Sequence, residues 1–282
     1  MRARCPAHPD ADLKPAVVTA EDRFWGLDGT FTYGACPTCG TWVLDPRPAP
    51  ADMGPYYARY YPEHELTQRA EAMRDKPIAQ ALGLEWLRAL DVVKRLTKLR
   101  ARPTAEQRLL DAGCGAGAFL RAMREQTGVK VQGVDFDPKC RDFAGATYQV
   151  PVDAGELAQQ AYPAGHFHLV TSWHCLEHVY DPQAELTELA RVLAPGGRLL
   201  VETPTAGWLG RLFRGRWLYL QAPTHLYHFT PATLQALVER AGLAVEAVRR
   251  PWLPSELAGS LLMALGLKGF APRLLGRGGG WR

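Results

Sequence analysis

Apolar positions recur along this chain with two spacings, and the change between them divides it. From Gln107 to about Arg250, continuous apolar runs alternate with stretches whose apolar residues return every three or four positions. The runs predict strands over 108–111, 130–135, 147–150, 168–173, 198–203 and 243–248. The stretches between them predict helices over 116–125, 138–143, 155–160, 182–192 and 231–241. Strands apolar on both sides and alternating with helices predict an α/β fold whose parallel sheet is covered on both faces. Upstream, Leu84, Leu87, Leu90, Val93 and Leu96 give 65–100 a helical pattern, divided at Asp75-Lys76-Pro77. Five prolines between Pro46 and Pro62 make that stretch a connection, and Tyr56, Tyr57, Tyr60 and Tyr61 cluster within it. Near the start, 16–18 and 31–33 predict a hairpin turning at 27–29. An apolar helix over 255–267 is too short to span a bilayer, and the glycine-rich 277–282 predicts disorder.

Composition adds bounds rather than chemistry. The 282 residues are 47% hydrophobic and 22% charged, which allows one large domain and a small accessory module. A net charge of +4 is too mild to imply a nucleic-acid partner. The opening residues lack the apolar run of a signal peptide, so the expected location is cytoplasmic and the six cysteines are read as thiols or metal ligands.

Two of these cysteines stand in Cys36-Pro-Thr-Cys39, and a third in Cys5-Pro-Ala-His8. Two pairs of soft ligands, each with a two-residue gap on a Pro- or Gly-bearing turn, suit a tetrahedral structural Zn2+. A module over 1–48 is too small to fold without such a staple. It also resembles the amino-terminal zinc module of some bacterial methyltransferases acting on sugars and natural products, which continue into Pro-Arg-Pro and Tyr-Tyr as Pro46-Arg47-Pro48 and Tyr56-Tyr57 do here.

The stretch of greatest consequence is Asp111-Ala112-Gly113-Cys114-Gly115-Ala116-Gly117, set between an apolar strand and a helix. Alternate glycines permit a tight bend and close backbone approach to a ligand. The next strand ends at Asp135, where a carboxylate can accept both hydroxyls of a ribose. The acid before the bend, Asp111, disfavours a phosphate ligand and favours an amino group or sulfonium. The motif resembles the first motif of class I S-adenosylmethionine-dependent methyltransferases. That resemblance implies a Rossmann-like core over 104–250 with the cofactor S-adenosylmethionine. The amino-acid half of the cofactor would be held by Asp111 and the 113–117 backbone, Cys114 included, and the ribose by Asp135. It further implies that Phe136 flanks the adenine, that Asp153 contacts its amino group and that Ala154 offers a backbone amide. Trp173 is expected at the same sheet edge. The lid would be the helices of 49–103, and 251–282 would follow as an apolar helix and tail. Ala194-Pro195-Gly196-Gly197 resembles the family's Leu-x-Pro-Gly-Gly turn, and His168 stands where relatives carry an acid.

The candidate chemistry follows the fourth strand in Trp173-His174-Cys175-Leu176-Glu177-His178. A helical turn from His174 would place His174, Glu177 and His178 on one face, with His178 as base and Glu177 fixing its tautomer. The inverted zinc-peptidase pattern His-x-x-Glu-His is present literally, but it needs a long helix rather than the end of a buried strand. The run resembles the Leu-Glu-His of ubiquinone-type and sugar methyltransferases; some relatives bind a divalent metal with a comparable cluster. His225, in Pro223-Thr224-His225-Leu226-Tyr227-His228-Phe229-Thr230-Pro231, is a second candidate base, and Thr230-Pro231 predicts an N-cap. The basic, aromatic segment 208–220 fits a membrane surface, an acidic substrate or the lid, and the last helix fits a dimer interface, lid packing or lipid. The expectation is methyl transfer to an O or C nucleophile of a small acceptor, a sugar or other metabolite. Two alternatives stay open: a membrane-associated lipid-quinone O-methyltransferase, and a zinc-ribbon module recruiting nucleic acid or protein.

Overall fold

The computed structural model describes residues 3–21, 28–57, 103–205, 207–250 and 254–265. The helices expected over 65–100, Tyr60 and Tyr61, Leu27 of the predicted turn, and the tail after residue 265 lie outside the described residues.

Three strands open the chain: β1 (Lys14–Glu21), β2 (Thr30–Ala35) and β3 (Trp42–Leu44). In β1, Val18 and Ala20 are buried while Thr19 and Glu21 are exposed, the period of two of a one-sided strand. Strands and helices then alternate: β4 (Arg108–Ala112), α1 (Ala118–Thr127), β5 (Lys130–Asp135), α2 (Pro138–Phe143), β6 (Val152–Ala154), β7 (Phe167–Trp173), α3 (Pro182–Val192) and β8 (Leu193–Glu202), except that the helix expected over 155–160 is only a 3-10 turn, Leu157–Gln160. The chain continues through α4 (Trp208–Phe213), β9 (Tyr227–His228), α5 (Pro231–Arg240) and α6 (Pro254–Ala264). No helix among the described residues is long and apolar enough to cross a membrane.

Contacts divide the chain into two compact units. One comprises Tyr61–Leu176 and Thr187–Glu202; the other comprises Met1–Tyr60, Glu177–Leu186 and Thr203–Arg282. The first holds a five-stranded parallel sheet in the order β6-β5-β4-β7-β8. Leu109, Leu110, Asp111 and Ala112 are all buried, as a central strand covered on both faces requires. Phe119, Leu120 and Met123 of α1 pack with Val131, Val152, Leu169 and Trp173 in its core. At the Pro195-Gly196-Gly197 turn, the register of β8 against β7 jumps from Leu193 opposite Phe167 to Arg198 opposite Leu169. A Cβ on Gly197 would lie 2.8 Å from the Ala194 carbonyl oxygen, so the bulge requires glycine there. His168 Nδ1 accepts the backbone N–H of Arg108 (3.2 Å), so the residue that departs from the family pattern serves as an acceptor tying β7 to the start of β4.

The second unit holds a four-stranded sheet in the order β1-β2-β3-β9. β9 pairs antiparallel with β3, Trp42 facing His228 and Val43 facing Tyr227. The amino-terminal sheet therefore takes its fourth strand from the far end of the sequence, and residues 1–48 do not complete it alone. Thr230 caps α5 as expected, its hydroxyl accepting the Thr233 N–H, with Pro231 in the first turn.

Two expected strands are corrected. Residues 147–150 form no strand: a π-turn occupies Ala144–Tyr148, Gln149 is left-handed (φ 54°), and pairing begins only past Pro151. Asp153 consequently lies within β6 rather than after it. Residues 243–248 form neither strand nor helix, and 246–250 are exposed. Their apolar residues match a strand, but a strand also needs a sheet edge to pair with, and the edges of the described parallel sheet are β6 and β8.

Candidate functional site

In the sheet unit, Gly113, Gly115 and Gly117 all adopt left-handed backbone (φ 73°, 53° and 78°), conformations an L side chain resists. They turn the chain out of β4 and into α1, with the Gly113 and Cys114 amides donating to the Val134 carbonyl at 2.9 and 3.1 Å. A Cβ on Gly113 would come within 2.6 Å of Cys175 Sγ. Cys114 contributes backbone rather than thiol chemistry: burial, together with Asp111 and Asp135, pushes its pKa far up, so the sulfur stays protonated.

Asp135 closes this bend. Its Oδ2 accepts the Gly115 N–H (2.8 Å) and its Oδ1 the Asp137 N–H (3.1 Å). Each oxygen thus receives one backbone proton, which fixes the carboxylate plane and leaves each with further acceptor capacity. A vicinal diol supplies two O–H donors, and the bend and carboxylate fit a ribose on that chemistry. Burial raises the Asp135 pKa while the Asp137 and Gly115 amides and the Cys140 thiol act against it. Phe136 beside it is 49% exposed.

The other expected cofactor residues are placed differently. Asp111 is buried within β4, and its Oδ1 accepts the Thr171 hydroxyl (2.6 Å) on the neighbouring strand. Asp153 Oδ2 accepts Tyr162 Oη (2.6 Å) and Gln132 Nε2 (3.0 Å). Ala154 pairs with Asp135 at the end of β6, and its carbonyl accepts Gln160 Nε2. Trp173, expected at the rim, is buried in the core edge-on to Phe119, at 5.6 Å between centroids.

His174 is not on a helical turn. Its backbone is left-handed (φ 51°), its N–H donates to the Glu202 carbonyl, and its Nε2 lies 3.5 Å from Glu202 Oε1. The left-handed step breaks the i, i+3, i+4 register that would have put it beside Glu177 and His178.

In the second unit, Glu177, His178 and His225 bring a carboxylate oxygen and two ring nitrogens within 4.8 Å of one another. His178 Nδ1 lies 2.8 Å from the Thr224 carbonyl oxygen, and His225 Nδ1 lies 2.8 Å from that of Tyr219. A carbonyl only accepts, so Nδ1 carries a proton in each ring, and a neutral ring keeps its lone pair on Nε2. The Thr224 carbonyl, not Glu177, thus fixes the His178 tautomer. Two imidazoles beside a buried carboxylate suit a general base, or the donors of a soft divalent metal. The rings stand edge to face, 4.7 Å apart, with Tyr57 6.1 Å from His178.

Sequence reasoning missed what holds these histidines. Tyr33, buried in β2, places its hydroxyl 2.7 Å from the carbonyl oxygen of His225 and 3.1 Å from that of Leu220, its one proton shared between them. Arg47 donates to Tyr227 Oη (2.7 Å) and the Tyr180 carbonyl (3.3 Å), its guanidinium 4.9 Å from the Tyr180 ring centroid. The only signal for Arg47 was its place in the Pro-Arg-Pro run; Tyr33 carried none. His228 sits among Tyr33, Trp42 and Trp217, and burial lowers its pKa to about 3.

The four expected metal ligands, Cys5, His8, Cys36 and Cys39, also converge within 4.8 Å. Cys5 Sγ lies 3.6 Å from Cys39 Sγ and 3.8 Å from His8 Nδ1, and Cys36 Sγ lies 3.7 Å from that nitrogen. Sulfurs about 2.3 Å from a tetrahedral zinc stand roughly 3.8 Å apart, so the donor set fits. Burial raises the Cys5 thiol to about 12. Burial would raise Cys39 too, but hydrogen bonds with Thr233, Thr41 and Cys36 outweigh it and bring it to about 6.

A family model described as a methyltransferase domain matches residues 84–248. The chain belongs to the methyltransferase-domain family. Within it, the chain is of the class I, S-adenosylmethionine-dependent type, with a Rossmann-like parallel sheet. It is 32% identical over 187 residues to a ubiquinone biosynthesis O-methyltransferase of Xylella fastidiosa, covering 59% of this chain and 74% of that one. It is 30% identical over 100 residues to ajmaline N-methyltransferase of Rauvolfia serpentina, covering 33% of this chain and 34% of that one. The chain thus spans about a third of that relative's length. The fold is similar to that of YcgJ from Bacillus subtilis, with a TM-score of 0.50 and 23% identity, covering 64% of this chain and 80% of that chain.

Proposed function

We propose that this methyltransferase-family chain transfers a methyl group from S-adenosylmethionine to an oxygen or carbon nucleophile of a small molecule, a sugar or other metabolite. The observation that carries the reading is the Asp135 carboxylate, aligned by the Gly115 and Asp137 amides with acceptor capacity on both oxygens. When bound, the cofactor supplies an electrophilic methyl on a sulfonium. Asp135 accepts the ribose hydroxyls, the Gly113–Gly117 bend gives backbone room for the amino-acid half, and Phe136 offers its exposed ring to the adenine.

For the acceptor, His178 takes the proton as the nucleophile forms its new bond, through the Nε2 lone pair that the Thr224 carbonyl secures. His225, held the same way by Tyr219, is the second candidate base. Zinc at Cys5, His8, Cys36 and Cys39 is structural in this reading, fastening the loops at the start of β1 and between β2 and β3.

The similarity to a ubiquinone biosynthesis O-methyltransferase supports a second reading, with a lipid quinol as acceptor. A methyl-transfer screen over sugar nucleotides, quinols and small phenols, with and without chelator, separates the two. Turnover on soluble sugars or phenols favours the first and turnover on quinols alone the second. No transfer to any class would count against both.

A further inference from the structure

The basic, aromatic segment that follows β8 turns apolar side chains outward. In α4, Leu209 and Gly210 are buried, and a Cβ on Gly210 would touch the Trp217 ring. The opposite face carries Trp208 and Leu212, four positions apart, which are 63% and 64% exposed. The neighbouring α6 repeats the pattern: Gly259, Ser260 and Met263 are buried, while Leu261 and Leu265, again four apart, are 49% and 78% exposed. The two helices are tied through Leu218, whose N–H donates to Ser260 Oγ (3.1 Å) and whose side chain fills the space over Gly259. Four large apolar side chains this exposed on adjoining elements are more than the scattered singles of an ordinary surface.

Charge says what covers them. Arg211, Arg214 and Arg216 are exposed within the same segment, and among the described residues none of the three makes an ion pair. The turn that presents Arg214 and Arg216 is built for its place. Arg214 adopts positive φ (46°), and Gly215 lies so close to the Thr19 carbonyl of β1 that no side chain fits. The turn and β1 border a groove of about 430 Å³, lined by Leu212, Arg214 and Arg216 and carrying one carboxylate, Glu21. Exposed Trp and Leu beside unpaired arginines is the composition of a surface that enters the headgroup boundary of an anionic bilayer. A second copy of the chain would bring the same three arginines to the contact, which disfavours a symmetric pairing through this face.

We propose that the face formed by Trp208, Leu212, Leu261 and Leu265 with Arg211, Arg214 and Arg216 is a docking surface for anionic phospholipid bilayers. The membrane is bound peripherally: tryptophan and leucines enter the boundary and the arginines meet the phosphates. This binding needs no methyl transfer, so its failure leaves the reading of the cofactor site untouched, and the reverse holds too.

Flotation of the full chain with vesicles tests it, using phosphatidylcholine alone and a 7:3 mixture with phosphatidylglycerol, at low and high salt. The chain floats with the mixed vesicles at low salt, at least tenfold less with phosphatidylcholine, and is released by high salt. R214Q/R216Q lowers the partition roughly thirtyfold, about fivefold per arginine. W208S/L212S lowers it by at least tenfold even at low salt, and removes a blue shift of tryptophan emission on vesicle addition. All four positions are exposed, so far-ultraviolet dichroism and melting should stay as in the parent. No flotation with mixed vesicles at low salt overturns the proposal, as does flotation indifferent to both double variants. A dimer in solution that W208S/L212S dissociates, without vesicle binding, assigns the face to a second copy instead.

Discussion

The Tyr33 hydroxyl in β2 donates to the backbone carbonyl of His225, 192 positions later, at 2.7 Å. The same hydroxyl serves Leu220, so one buried side chain of the amino-terminal sheet holds both ends of the loop that carries a candidate base. Tyr33→Phe keeps the ring and removes the one proton shared by these buried carbonyls. It should cost about 1–3 kcal/mol in urea unfolding and lower turnover on any acceptor found, with S-adenosylmethionine affinity unchanged. Parent-like stability and turnover would deny Tyr33 this role.

With Nδ1 held by the Thr224 carbonyl, His178 has Nε2 left for the proton transfer proposed above. His178→Gln keeps a polar side chain without a titrating lone pair, and should cut kcat by about 10²–10⁴ while KM for the acceptor and cofactor affinity move little. A kcat within twofold of the parent would remove His178 from the proton transfer.

The convergence of Cys5, His8, Cys36 and Cys39 predicts one bound zinc per chain by elemental analysis of the purified protein. Cys36→Ser should lose that zinc, and a strong chelator should lower the melting temperature of the parent but not of the variant. Zinc-free parent protein with an unchanged melting temperature would show that the cluster holds no structural metal.

Burial keeps the His228 ring neutral, lowering its pKa from 6.5 to about 3. Between those values the unfolded chain binds a proton that the folded chain refuses. The stabilisation from the neutral ring is therefore complete above pH 6.5 and is lost as pH falls toward 3. His228→Phe, which keeps an aromatic ring among Tyr33, Trp42 and Trp217, should flatten this part of the stability profile relative to the parent. Parallel profiles for the two proteins between pH 7.5 and 4.5 would contradict it.

What the sequence made legible is local. The glycine bend, the acid ending β5, the Cys-x-x-Cys and Cys-x-x-His pairs and the Thr230-Pro231 cap all announce themselves within a few residues, because backbone freedom, ligand geometry and capping are short-range requirements. The supports of the candidate site are not local. Tyr33 reaches His225, Arg47 reaches Tyr180 and Tyr227, and β3 pairs with β9, across separations that periodicity does not report. His174 differs for another reason. A helical turn needs right-handed backbone after β7, whereas His174 donates to the Glu202 carbonyl and is itself left-handed. Residues 243–248 show the same limit, since apolar residues mark a face and not a partner strand.

In the proposed reaction the Gly113–Gly117 bend and the Asp135 carboxylate seat the ribose of a sulfonium nucleoside. Calorimetric titration of S-adenosylmethionine into the parent and into Asp135→Ala tests it most directly. Binding at one site per chain, weakened at least tenfold in a variant that melts like the parent, is the predicted result. Equal affinity in the two proteins, or no binding to the parent, would contradict it.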